Sequence, residues 1–356
     1  MAKTTEDLSL LFPIDHFPDR STKWLLEFGE NVRGLLEIVA GELVNQFDFS
    51  QLKPVNKSFI PDNLREQESD IVYLVPFRGE ETSEVWIYIL IEHQSTVDVI
   101  MGFRVLFYMV QIWDAQRREW EDGKVPKSKW RFRPIIPIVF YTGEQRWETP
   151  IALDTVMDVP DMLSRFVPKF DTLFLGVKAE DEINLTKTDH PFGGLLTVIQ
   201  KEHAKKEEIA QALSRAVEHI NRLPEAELHH WRRAIFYLYL LIFHRRPPGE
   251  HDDLKAIVYQ QIEESLRKEE GENMAETMAE YLIGQGEKRG EKRGEKRGKL
   301  QTKREYILNL LQIRFNDVPE SAAKQIRSIR SLKQLDEIFR QAATAKTLDE
   351  IKMSGK

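Results

Sequence analysis

DIVYLVPFRGEETSEVWIYILIEHQST, residues 70–96, is the stretch on which the fold turns. Residues 70–77 (DIVYLVPF) and 85–92 (VWIYILIE) are dense in β-branched and aromatic side chains, and the RGEETSE between them is short, charged and turn-like. The pattern predicts an antiparallel hairpin. Its second run is apolar at every position from Val85 to Ile91, as expected of a central strand covered on both faces. With the turn centred near Glu81, Asp70 falls opposite Glu92. Directly opposed residues project from one sheet face, roughly 5 Å apart at Cβ. Gln94 shares that face because side chains alternate along a strand. Asp70, Glu92 and Gln94 therefore converge at one end of the hairpin.

Working outward, residues 21–47 carry apolar side chains at Leu25, Phe28, Val32, Leu35, Leu36, Val39, Leu43 and Phe47, which is helical spacing interrupted by Gly29 and Gly34. Downstream, Ser95 or Thr96 is placed to cap a long helix with Asp98 in its first turn, continuing through Trp113. Residues 134–141 (PIIPIVFY) predict a further strand ended by Thr142-Gly143, and 171–177 (DTLFLGV) one more. From about residue 195 helical patterns take over. This order predicts an α/β domain followed by an α-helical C-terminal half. The apolar run Ala234–Phe243, flanked by arginines, is too short to span a bilayer and reads as a buried core helix. His229, His230 and His244 read as surface features. Residues 284–299 (GQGEKRGEKRGEKRGK) contain three tandem GEKR units, a basic linker or frayed helix able to meet phosphate. The last fifty or so residues carry short amphipathic helices around 306–315, 321–329 and 332–342, a small bundle or an oligomerisation tail, so a homo-oligomer is among the expected assemblies.

Composition narrows the chemistry. The chain of 356 residues has 51 basic and 58 acidic side chains, a net charge of −7, and no cysteine. Disulfide scaffolds, thiolate zinc sites, iron–sulfur clusters and cysteine nucleophiles are excluded. The opening residues lack the features of a signal peptide, so a soluble, cytoplasmic protein without membrane partners is expected. No Walker loop, GxGxxG, HExxH or GxSxG occurs. The opposed carboxylates remain. Two carboxylates facing each other on a strand pair repel unless something cationic lies between them. A hard divalent ion such as Mg²⁺, which takes one or two carboxylates and keeps waters, suits them, with the carbonyl of His93 completing the set. Equally, Asp70 and Glu92 could be solvated strand ends. Residue types alone leave both readings open.

Further residues carry a resemblance. Asp70-Ile71-Val72-Tyr73, Ile91-Glu92-His93-Gln94-Ser95-Thr96, Met101-Gly102-Phe103-Arg104 with Tyr108, and Ile138-Val139-Phe140-Tyr141-Thr142-Gly143 with Trp147 resemble the recombination-promoting nuclease family, also called YhgA-like transposases. That family is a branch of the PD-(D/E)XK nuclease superfamily, and the resemblance spans roughly residues 8–180. It implies a restriction-endonuclease-like core, a mixed sheet flanked by helices in the order helix, three-strand meander, helix, strand. It also implies Mg²⁺-dependent hydrolysis of DNA phosphodiesters in recombination or mobile-element processes. By resemblance, Asp70 and Glu92 are metal ligands and catalytic residues, and Gln94 sits where the superfamily usually has Lys. Ser69 replaces the superfamily's Pro. Gln can orient water but supplies no charge, so a slow enzyme is expected. The superfamily's acidic residue on the first helix falls to Glu37, among Glu30, Glu37 and Glu42. Arg104, Tyr108 and Gln111 form a polar stripe at helical spacing. Arg104 and Tyr108 could contact phosphate, or Arg104 could pair with a carboxylate while Tyr108 packs in the core. The expected organisation is a nuclease-like domain at 1–180, a helical domain at 181–283, the linker at 284–299 and a helical tail at 300–356. Two rivals are a DNA- or partner-binding protein on a degenerate nuclease scaffold, and a phosphoesterase acting on small molecules.

Overall fold

The computed structural model describes residues 17–55, 70–78, 85–263, 267, 270, 298–316, 318–329, 331–345 and 347–351. Almost all of the GEKR repeat lies outside these. The chain divides into two compact units, Met1–Met278 and Ala279–Lys356.

The first unit is built on a five-stranded mixed sheet in the order β1 (Lys53–Pro54), β2 (Asp70–Phe77), β3 (Val85–Gln94), β4 (Ile135–Tyr141), β5 (Leu173–Gly176). β1–β2 and β2–β3 pair antiparallel, whereas β3–β4 and β4–β5 pair in parallel. β3 is central, which accounts for its unbroken apolar run. The hairpin register matches the sequence reading, from Phe77 opposite Val85 to Asp70 opposite Glu92. The two-residue β1 had no sequence signal.

Helices cover both faces. On one, α4 (Met101–Asp122) bridges β3 to β4 and buries Met101, Val105, Met109 and Ile112 against Val72, Tyr88, Leu90 and Val139. The long helix thus begins at Met101, not at Ser95 or Thr96. Residues 95–100 turn instead, because Asp98 Oδ1 accepts from the Ile100 amide (3.0 Å) while its other oxygen takes a side-chain donor. The opposite face meets α1 (Phe17–Leu26) and α2 (Gly29–Val39), followed by the single-turn α3 (Gly41–Val44). The predicted helix over 21–47 is therefore three pieces, with breaks just before Gly29 and at Ala40. Tyr73 Oη donates to the Leu26 carbonyl (2.9 Å) and fixes α1 to the sheet.

Beyond β5 come α5 (Glu182–Thr186), α6 (Pro191–Gln200), α7 (Lys206–Asn221), α8 (Leu228–Arg245) and α9 (His251–Glu263). α6 and α8 are apolar almost all round, and both are buried over most of their length. α8 contains the apolar run read from the sequence as a core helix. No helix among the described residues is long and apolar enough to cross a membrane. His230, read from the sequence as a surface residue, is 1% exposed and its Nε2 lies 3.1 Å from Asn31 Oδ1. His229 is exposed.

The second unit packs helix α10 (298–315) with α11 (Glu320–Ser328) and α12 (Leu332–Thr344) around Ile307, Leu311, Ile326, Leu335 and Ile338. Ser331 caps α12 through the Gln334 amide. These helices lie where the amphipathic pattern predicts them.

A pH dependence follows from the start of α6. His190 caps this helix, its Nδ1 accepting from the Phe192 amide at 3.1 Å. Gly34 makes room for it, since a Cβ there would come within 2.5 Å of that nitrogen. Burial, with His230 and Arg33 nearby, pushes the His190 pKa down to about 3. The folded state therefore needs the neutral ring. Its contribution is complete above the unfolded pKa of roughly 6.5 and is lost as pH falls from there, at about 1.4 kcal/mol per pH unit. His190→Asn keeps a capping acceptor. Urea unfolding between pH 7 and 5 should show this variant losing less stability than the parent, and equal slopes would mean that His190 is not the group responsible.

Candidate active site

Strand alternation sorts the end of β3 into two chemistries. Glu92 continues the face carrying Tyr88 and Leu90, under α4, whereas His93 belongs to the other face. Glu92 is completely buried. Its Oε1 accepts from Gln94 Nε2 (2.6 Å) and from Arg104 Nη2 (2.5 Å). Its Oε2 is buried and has no hydrogen-bond partner among the described residues. By register, the backbone of Asp70 lies directly across from Glu92.

Arg104 reaches this strand because it stands one turn into α4, on the helix face turned to the sheet. Its Nη1 pairs with Asp98 Oδ2 at 2.8 Å, and its Nη2 lies 3.4 Å from Tyr108 Oη. Burial works against the guanidinium charge, but hydrogen bonds to Asp98 and Tyr108 outweigh it and raise the Arg104 pKa. Arg104 is thus ion-paired to two carboxylates, the alternative the sequence had left beside a phosphate contact. Tyr108, on α4 itself, is 5% exposed and packs into the core on the helix face turned to the sheet, within reach of Arg104.

The sequence-named residues divide accordingly. Glu92, Gln94, Arg104 and Tyr108 come together, and Asp70 faces Glu92 in backbone register. His93 Nε2 lies 2.9 Å from Thr142 Oγ1, so its ring lies on the opposite face of the sheet from the Glu92 carboxylate. Glu37 pairs with Arg33 at 3.0 Å on α2, in the layer behind the sheet, and meets none of Glu92, Gln94 or Arg104 through hydrogen bonds among the described residues. Asp98 was missed as a site residue. Its signal was a carboxylate just ahead of an apolar helix that carries an arginine one turn in.

A second charged group lies just beyond the C-terminal end of β4. Ligand atoms of Glu144, Glu202 and His203 lie within 4.8 Å of one another, spacing that a metal ion could use. Their charge is already met. Lys178 Nζ contacts Glu144 (3.0 Å) and Glu202 (2.8 Å), and Arg245 Nε contacts Glu202 at 2.7 Å. Burial raises the Glu202 pKa, but hydrogen bonds from Arg245 and Lys178 outweigh that and hold it low. A divalent ion here would face two fixed cations. At the Glu92 site, by contrast, a buried carboxylate oxygen lacks a donor among the described residues. The ion-pair group borders a cavity of about 120 Å³ lined also by Ser21, Thr142 and Tyr237, room for a few waters.

Residues 17–230, well over half the chain, match the family model described as "Putative transposase, YhgA-like". The chain belongs to this YhgA-like family. Among curated relatives, recombination-promoting nuclease RpnD of Escherichia coli O157:H7 is 28% identical over 203 residues, covering 56% of this chain and 72% of the relative. Recombination-promoting nuclease RpnC of Escherichia coli K12 is 28% identical over 207 residues, 56% of this chain and 62% of the relative. A relative named inactive recombination-promoting nuclease-like protein RpnE, also from K12, is 30% identical over 180 residues, 48% of this chain and 54% of its own length. No solved structure matches the chain. The YhgA-like match contains the hairpin, Arg104 and the sheet, and stops in α8, before the second unit.

The Arg104–Glu92 pair has a measurable consequence. Arg104→Met leaves the Glu92 carboxylate buried without its cation, which should lower unfolding stability by about 3–5 kcal/mol. Adding Glu92→Gln to that variant removes the stranded charge and should recover most of the loss, a coupling that urea titration of the four proteins reads directly. Additive losses would show that the two groups do not depend on each other.

Proposed function

We propose that this YhgA-like protein is a divalent-metal-dependent DNA endonuclease that hydrolyses phosphodiester bonds, with Asp70 and Glu92 as ligands of Mg²⁺ or a similar cation. The supporting observation is the buried Glu92 Oε2, which meets no hydrogen-bond donor among the described residues. Such an atom is costly unless something electropositive meets it. The donor set suits a hard cation, being carboxylate oxygen from Glu92 and Asp70 and the His93 carbonyl. A bound Mg²⁺ would supply an activated water and offset charge on the phosphoryl group.

The chain's own groups do the rest. Gln94 donates its Nε2 to Glu92, which leaves its Oε1 to accept from a water and aim it. Arg104 balances the Glu92 charge before any cation arrives and fixes the carboxylate's rotamer. Its second carboxylate, Asp98, keeps the guanidinium anchored to the turn ahead of α4. Tyr108 backs Arg104 from the helix side. In this reading Gln94 supplies orientation but no positive charge, so turnover is slow. DNA is the substrate, recombination or element mobility the occasion, and the cytoplasm the place. The relatives' names support the first two of these.

One rival has an observation behind it, because RpnE is a relative named inactive. On that reading the scaffold binds DNA without cutting it and needs no metal. Plasmid nicking with and without Mg²⁺ decides between the two. Glu92→Ala and Asp70→Ala should each abolish nicking while most DNA affinity survives. Gln94→Ala should lower turnover by about 10- to 100-fold, and Gln94→Lys should preserve or raise it. Metal-independent binding with no nicking by the parent protein would favour the rival.

A further inference from the structure

Between Gly123 and Gly143 the sequence has five Lys or Arg residues and no Asp or Glu, in a chain whose net charge is −7. The cations are concentrated in Lys124-Val125-Pro126-Lys127-Ser128-Lys129-Trp130-Arg131-Phe132-Arg133, the connection from α4 to β4. Lys124, Lys127, Lys129 and Arg131 are exposed. None of the four is ion-paired with a carboxylate among the described residues. Asp114 and Glu121 on α4 are taken by Arg117 and Arg118, and Glu119 and Asp122 are the remaining acids of its last turns. Among the described residues Arg131 donates to the Ser128 and Trp130 carbonyls.

This segment is a fixed plate. Trp130 Nε1 donates to the Val125 carbonyl at 3.0 Å, and Trp113 Nε1 to the Arg133 carbonyl at 2.9 Å. The Gln116 carboxamide oxygen accepts from the Arg133 amide. The Trp120 ring packs on Trp130 (5.5 Å) and Phe132 (5.2 Å), and Lys127 Nζ stands 5.7 Å from the Trp130 ring centre. Phe132 nevertheless remains 51% exposed. Arg133 alone is turned inward, its Nη1 donating to Tyr88 Oη. With the backbone so anchored, these four exposed cations stay together on one short stretch of surface, a concentration of positive charge that attracts a polyanion.

We propose that this plate is a nucleic-acid-binding site, in which Lys127, Lys129 and Arg131 grip backbone phosphates and Phe132 stacks on a base. Alternation of cations with an open aromatic ring favours nucleic acid over an acidic protein or a lipid surface, because only nucleic acid offers phosphates and flat π-faces together. Its position also fits a substrate track. From Arg104 to Trp120 along α4 is about 24 Å at the helical rise, or roughly seven base steps. The plate would hold a strand that far from the Glu92 carboxylate. That spacing rests on the nuclease reading; binding itself does not.

The test is fluorescence anisotropy of the full chain in EDTA, where no cleavage intervenes, with a labelled 20-nucleotide single strand and a labelled duplex at several salt concentrations. Lys127→Ala/Lys129→Ala/Arg131→Ala should weaken both by about 10-fold or more at low salt. Its log–log salt slope should fall by about 2 for the single strand and about 3 for the duplex. Phe132→Ala should weaken the single strand by about 5-fold without altering the slope. Arg215→Ala/Arg222→Ala/Lys255→Ala, which removes equal charge elsewhere, should leave binding unchanged. The proposal is overturned if the first variant binds like the parent, if the control weakens binding as much, or if Phe132→Ala has no effect. It is likewise overturned if the triple variant loses affinity for phosphatidylserine vesicles or polyglutamate but not for oligonucleotides. A parent protein that binds no oligonucleotide sinks this site and the nuclease reading together. Normal DNA binding by the triple variant sinks only the site.

Discussion

A carboxylate buried under a helix at the end of the central strand governs much of this molecule. Glu92 ends a run that is otherwise apolar, and burial of a lone carboxylate would be prohibitive without a cation. Arg104 supplies it from the first turn of α4. That single contact dictates where α4 starts, because the guanidinium must also satisfy Asp98, and Asp98 in turn holds the Ile100 amide. A helix begun at Ser95 would carry Asp98 into its first turn, away from this arrangement. The approach is close throughout. Gly102 lies so near the Ala152 backbone that a Cβ would come within 2.6 Å of it, so α4 has little freedom to slide along the sheet.

The period of two along β3 then separates two kinds of electrostatics. On the α4 face, one arginine bridges Glu92 and Asp98 and leaves an oxygen of Glu92 without a donor among the described residues. Behind the sheet, Glu144 and Glu202 are balanced by Lys178 and Arg245. Ligand-like spacing exists in both places, so spacing does not discriminate between them. The discriminating quantity is the charge still unsatisfied. It is absent where two cations already pair with the two acids, and present where two carboxylates, Glu92 and Asp98, share one guanidinium and Asp70 is registered across the strand pair.

How much of this the sequence discloses depends on the range of the interaction. The hairpin and the Asp70–Glu92 register were legible, because alternation and a short turn are local and a one-residue slip would expose every buried side chain. The apolar run in α8 and the amphipathic helices of the second unit were legible for the same reason. The start of α4 was misread, since Ser95, Thr96 and Asp98 form a sound local capping pattern that a long-range demand on Asp98 overrides. His230 was misread more deeply. Its partner, Asn31, is 199 residues away in the chain, and a His-His pair beside two arginines gives no hint of it. The resemblance to YhgA-like nucleases supplied the family, and the Arg104 pairing, left open by residue type, needed the packing of α4 on β3 to resolve.

The connection after α4 shows a different kind of illegibility. Lys127 to Arg133 looks like an ordinary polar loop, and surplus Lys and Arg in a loop usually mean only solvation. Packing changes its meaning. Trp113, Trp120 and Trp130 anchor the segment's backbone, so its cations remain concentrated on one stretch of surface. In a protein with a net charge of −7, a polyanion is repelled by most of the surface and drawn to the few places where positive charge is concentrated. α4 joins the two ends of this design. Its first turn holds the buried carboxylate, and its last turn supports the cationic plate. One rigid helix therefore sets the distance between the place where a strand would be gripped and the place where it would be cut.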